Sequence, residues 1–178
     1  MNKEKEYFEE HIPHRVNLLI TFRERFKGLK NEKGYYVRDF YRCSKDMAFI
    51  MVRFFMSEFG IKLDRYEDIL VDENEKEIVF RRNEFKIDCI DINEVVKNET
   101  LNKELIDVLV AANKAVVHIN NEKVYHYFDD EEKDDIIFSV IDFIENKIID
   151  NIYHGKDEYL RVMNLEKNNM YRDRLKIQ

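Results

Sequence analysis

The sequence predicts an α+β domain that is predominantly α: a bundle of four to five helices with a small antiparallel β-meander inserted after the second helix. Three observations predict it. Apolar residues recur at steps of three and four along most of the 178 residues, which is the helical period. One stretch, 69–91, changes to period two, the period of a half-buried strand. Only one Pro and four Gly are present, too few for a turn-rich sandwich. The length suits one domain, and no linker or internal repeat divides it, so 1–178 is expected to fold as a unit.

The first helix is expected over Tyr7–Lys27, where Phe8, Ile12, Val16, Leu19, Phe22 and Phe26 lie on one face. Pro13 falls inside this pattern. It removes a backbone donor, so the helix should start near Ile12 or kink there. The second helix is expected over Tyr36–Phe59. Tyr36, Phe40, Cys43, Met47, Ile50, Met51, Phe54 and Phe55 make its broad apolar face, and Gly60 is its natural stop. Together these helices should form a hairpin over 7–60. The sheet at 69–91 is built from Ile69-Leu70-Val71, Ile78-Val79-Phe80 and the alternation Phe85, Ile87, Cys89. A third helix is expected over 101–120, with Thr100 as N-cap. It is apolar on two sides, which suits a central position. A fourth spans 131–152, opened by the acidic run 129–135, whose carboxylates suit a helix N-terminus. A C-terminal helical tail is expected over 157–175.

Composition narrows the functional classes. Charged residues make up 38% of the chain, above the average of about 25%, so much of the surface must be charged. The net charge of −7 is segregated: the ends are basic and the middle is acidic. Cys43 and Cys89 are too few for a disulfide framework and are expected to be reduced core residues of a cytoplasmic protein. No secretory leader and no membrane span is expected. The Lys-, Asn- and Ile-rich composition fits a prokaryote or phage. There is no P-loop, dinucleotide fingerprint, HExxH, zinc spacing or GxSxG elbow. No cofactor and no metal site is therefore expected.

Some residues still carry potential chemistry. Arg15 falls inside the apolar face of the first helix and Glu58 inside that of the second. A charge held in a core needs a partner, so the two should approach each other or each find another. Arg23, Arg25, Lys30, Arg38 and Arg42, with Lys27, Lys33 and Lys45, are interleaved with Tyr35, Tyr36 and Tyr41. Such a patch could bind phosphates and stack on bases. The overall acidity disfavours nucleic acid. Complementarity between basic ends and acidic middle is the simpler account.

Asp107, Lys114 and His118 share a polar stripe on the third helix, and the run Leu109 to His118 resembles the active helix of HEPN-type domains. Those are helical bundles, many of them metal-independent RNases of prokaryotic defence and toxin systems, with an Arg placed before a His. Here Lys114 stands before His118, with a shorter spacing, and no Arg occupies that place. The resemblance implies an RNase or other nucleic-acid- or nucleotide-acting protein, with His118, Lys114 and Arg15 as candidate catalytic residues. The leading expectation from the missing motifs is different. It is a non-enzymatic interaction or regulatory protein whose partner is a second copy or another protein.

Overall fold

Helix follows helix through this chain because apolar residues repeat every three to four positions with few breakers. The computed structural model describes residues 3–29, 35–64, 69–72, 90–117 and 134–170. A short helix α1 (Lys3–Glu6) runs through a π-helical turn (Tyr7–His11) into α2 (Ile12–Leu29). Helix α3 (Tyr35–Glu58) follows, then the strands β1 (Ile61–Leu63) and β2 (Leu70–Asp72). Helices α4 (Ile92–Lys97), α5 (Glu99–Val117), α6 (Asp134–Asn151) and α7 (Lys156–Met170) complete the order. None of the described helices is long and apolar enough to cross a membrane.

The regular α-helix starts at Ile12, as Pro13 leads one to expect, but the turn before it is helical too. The chain absorbs the proline with the π turn, in which the Ile12 N–H reaches back to the Tyr7 carbonyl. Pro13 has no N–H to give to the preceding turn. The Tyr153 hydroxyl, from the α6–α7 connection, donates instead to the Phe8 carbonyl at 2.9 Å. A residue distant in sequence thus satisfies an acceptor beside the proline.

Helix α3 stops where Gly60 adopts φ 78°, a left-handed geometry that favours glycine. The chain turns straight into β1, which pairs antiparallel with β2, Ile61 opposite Asp72 and Leu63 opposite Leu70. The expected three-stranded meander is not supported. What is described is this two-stranded ribbon, and its first strand, Ile61–Leu63, lies before the stretch expected to form the sheet. The runs at 78–80 and 85–89 lie outside the described residues.

Two caps correct the sequence reading. Asp91 caps the unexpected helix α4 by accepting from the Asn93 N–H at 2.9 Å. That hydrogen bond, with one from the Asn93 side chain, holds the Asp91 carboxyl below its ordinary value. Helix α5 is capped by Asn98, whose side chain accepts from the Leu101 N–H at 3.2 Å, so Thr100 lies inside the helix. The C-terminal helix is described to Met170, and the rest of the expected tail lies outside the described residues.

The core forms where α2, α3, α5 and α6 meet. Ile12, Val16, Leu19 and Phe22 of α2 face Val52, Phe55 and Met56 of α3, and Phe59 just beyond it joins the same core. Leu105, Val108 and Ala112 of α5 and Ile137, Ile141, Ile144 and Ile148 of α6 close the interior. As its two apolar sides predict, α5 packs against both α3 and α6. Helix α7 docks on α2 and α6 through Tyr159, Val162 and Met163, all buried.

Of the apolar face expected for α3, only the C-terminal part turns inward: Phe55 is buried, and Met51 and Phe54 pack against the core. Tyr36, Phe40 and Met47 are 88%, 56% and 43% exposed, and Cys43 is exposed rather than in the core. The opposite side carries the other contacts, with Lys45, Ala48, Phe49 and Val52 all buried. The positions on both sides are apolar enough to be buried, so periodicity alone does not choose between them.

Candidate functional site

A buried lysine on the inward side of α3 requires a partner, because an unpaired ammonium in a core costs several kcal/mol. Lys45 is 6% exposed and Asp134 is 1% exposed. The Lys45 Nζ donates to Asp134 Oδ1 at 2.6 Å. The Tyr41 hydroxyl, one turn before Lys45 on α3, donates to the other oxygen of the same carboxylate. The ammonium also lies 5.2 Å from the Tyr41 ring centre, where the ring's negative face attracts it. Phe22 and Phe138 frame the group: their centroids are 5.8 Å apart, and Phe22 lies 6.3 Å from Tyr41. Asp134 is the first residue of α6, so the helix N-terminus adds to the stabilisation of its charge. The sequence assigns this carboxylate to the helix start alone. In the fold it is also the anion of an ion pair linking α3 to α6.

A second group joins the same helical layers. The Arg23 guanidinium donates to Glu145 Oε2 at 2.9 Å and to Asp142. The Tyr159 hydroxyl of α7 donates to the other Glu145 oxygen at 2.5 Å. Burial works against the arginine charge, but the bonds and charges of Glu145 and Asp142 more than offset it and raise the group above its usual value. Burial, followed by the bond to Glu145, raises the Tyr159 phenol well above the ordinary tyrosine value. Arg23 is thus a tie between α2, α6 and α7 rather than a free phosphate contact. Both groups show the basic N-terminal hairpin meeting the acidic middle within one fold.

A third group surrounds Arg15. Its guanidinium lies 4.6 Å from the Phe54 ring centre and donates to the His11 carbonyl at 3.0 Å. Glu58 accepts from the Tyr7 hydroxyl at 2.7 Å. Arg15 and Glu58 therefore take separate partners across the α2–α3 contact. Burial, then Glu58, raises the Tyr7 phenol, and the charge of Arg15 opposes them.

Of the remaining sequence candidates, only Arg25 has a described side chain. Arg25 is exposed at the end of α2. Arg38 and Arg42 lie on α3 and Lys114 on α5, and their side chains are outside the described residues, as are Lys30 and His118. The stripe of Asp107, Lys114 and His118 is therefore described only at Asp107, half-buried on α5. Among the described residues no cluster of His, Cys, Asp and Glu could hold a metal ion.

Asp134, Asp142, Glu145 and Tyr159 are not singled out by sequence pattern, although charge signs hint at them. The hint lies in the match between ten Lys and Arg across 15–53 and the carboxylate-rich stretch that opens and lines α6. No protein-family model matches this chain, and no curated protein or solved structure is similar to it.

Proposed function

We propose that this chain is a non-enzymatic interaction protein that associates with itself through the outward face of α3. The observation that carries the reading is the exposure of Tyr36, Phe40, Cys43 and Met47 along one side of that helix. Large aromatic side chains in water are unfavourable, and contiguous exposed apolar patches mark interaction sites. Given their exposures, these side chains present about 400 Å² to solvent, within the range of functional patches. That is roughly half of what each partner buries in a stable standard interface. The expected dimer is therefore weak, with a dissociation constant on the order of micromolar.

Charge supports the same reading. Arg23 and Lys45, two cations of the hairpin, are committed to carboxylates of α6. This leaves the hairpin less positive charge for phosphates than its sequence suggests. Sedimentation velocity from about 1 to about 100 μM would test self-association across the expected range. The expected result is a concentration-dependent dimer that is lost in Phe40→Glu, with an unchanged far-UV spectrum and melting temperature. A wild-type chain that stays monomeric throughout would overturn the proposal.

A further inference from the structure

The outward face of α3 has a period that specifies its occupant. Tyr36, Phe40, Cys43, Met47, Ile50 and Phe54 follow one another at alternating steps of four and three. This is the a/d repeat of a coiled-coil seam. The first four carry the exposure, and Ile50 and Phe54 are half-buried. Arg15 already lies on the Phe54 ring. A seam of this period fits another helix bearing the same repeat.

Resting on the self-association proposed above, we infer that two copies pair through α3 in antiparallel orientation, with a two-fold axis level with residue 45. In that register each a position faces a d position. Phe40 packs against the partner's Ile50, and Cys43 packs against the partner's Met47. Tyr36 reaches the partner's Phe54, at the ring that carries Arg15. Every central layer then sets a large side chain against a smaller or more flexible one, and the seam complements itself under a two-fold operation.

Use of the whole seam, together with charge at the flanking positions, selects this register. Along one side of the seam the sequence places Asp39, Asp46 and Arg53, each one heptad after the last. Antiparallel pairing brings equivalent flanks together, so residue 39 meets the partner's Arg53 in two places, while Asp46 meets the partner's Asp46 once, at the two-fold axis. Sliding by one heptad toward the C-terminal end would set Asp46 against the partner's Arg53 but leave Tyr36 and Phe40, the most exposed residues of the seam, outside it, and sliding toward the N-terminal end would use only the four most exposed residues. The latter would set residue 39 against the partner's Asp46, two carboxylates in each of two places. A parallel pair would instead stack Cys43 on the partner's Cys43 and leave the aspartates without a cation.

Cysteine cross-linking tests the geometry. Two single-cysteine chains are made in a Cys89→Ser background, one keeping Cys43 and the other carrying Cys43→Ser with Met47→Cys. They are given tags of different mass and oxidised with a glutathione redox buffer, alone and mixed. Antiparallel pairing puts Cys43 and the partner's residue 47 in one layer. The equivalent residues are then separated by more than the roughly 7 Å that a disulfide tolerates. The expected result is a cross-linked heterodimer in the mixture that greatly exceeds either homodimer. Efficient homodimer cross-linking with little heterodimer would overturn the antiparallel register while leaving self-association intact. A chain that sediments as a monomer would overturn both. As an independent check, Arg53→Asp should weaken the dimer several-fold, and adding Asp39→Arg should restore it. Failure of the second change to restore affinity would also count against the register.

Discussion

Removing the carboxylate of Asp134 should be among the most damaging single changes in this protein. Asp134→Ala strands the Lys45 ammonium, 6% exposed, and deprives the Tyr41 hydroxyl of its acceptor. Breaking one side of a buried pair typically costs about 3–5 kcal/mol, because the remaining charge stays desolvated. The lost charge at the α6 N-terminus adds about 0.5 kcal/mol. For a chain of this length that lowers the melting temperature by roughly 10 °C. Lys45→Met should cost less, because it leaves Asp134 with the Tyr41 hydroxyl and the α6 N-terminus. The double change Lys45→Met with Asp134→Ala should then be more stable than Asp134→Ala alone. The expected coupling is at least about 2 kcal/mol. Urea unfolding followed by circular dichroism, at one fixed protein concentration, measures all four corners of the cycle. A loss below about 1 kcal/mol for Asp134→Ala with no coupling would show that water reaches the pair and would refute its assignment as a sealed tie.

Three further outcomes are expected. Tyr153→Phe removes the donor to the Phe8 carbonyl beside Pro13 and should cost about 1–3 kcal/mol; a neutral result by denaturant unfolding would mean that water replaces the phenol. Tyr7 and Tyr159 ionise well above the ordinary value of 10.0, so above that pH the unfolded chain loses protons that the folded chain keeps. Stability should therefore fall as pH rises past 10, and the fall should flatten in a Tyr7→Phe, Tyr159→Phe double variant; equal slopes in urea titrations of the two proteins would contradict this. Gly155 has φ 147°, and a methyl group on its Cα would meet only open space, so Gly155→Ala should destabilise through backbone strain alone, by about 1–3 kcal/mol. Thermal melts that match wild type would show that the α6–α7 turn relaxes freely.

Much of the fold follows from local pattern. The step of three and four in Ile12, Val16, Leu19 and Phe22 fixes the inward side of α2. Gly60 ends α3 because it readily adopts a left-handed backbone there. The isoleucines 137, 141, 144 and 148 leave α6 a single apolar stripe, and that stripe is buried. Where local pattern fails, a distant partner decides the outcome. Ile61–Leu63 is a strand because Leu70–Asp72 lies beside it, and nothing in its own three residues demands that. Pro13 is tolerated within a helix through the π turn, with Tyr153 reaching the adjacent Phe8 carbonyl from more than a hundred residues away.

Helix α3 marks the boundary between the two kinds of information most clearly. Its sequence determines that it is a helix, that it spans nearly seven turns, and that both of its sides are rich in apolar side chains. The chain's sequence also supplies the cations of the basic hairpin and the anions of the acidic middle, whose opposite signs favour contact. Which side of α3 turns inward is decided only in three dimensions. Burial free energy scales with apolar area and is nearly indifferent between Tyr36, Phe40 and Met47 on one side and Ala48, Phe49 and Val52 on the other. Lys45 is not indifferent, because it can enter the core only where Asp134, distant in sequence, waits at the start of α6. That tertiary pairing lets the side bearing Lys45 enter the interior, and the other side, with its heptad seam, faces the solvent.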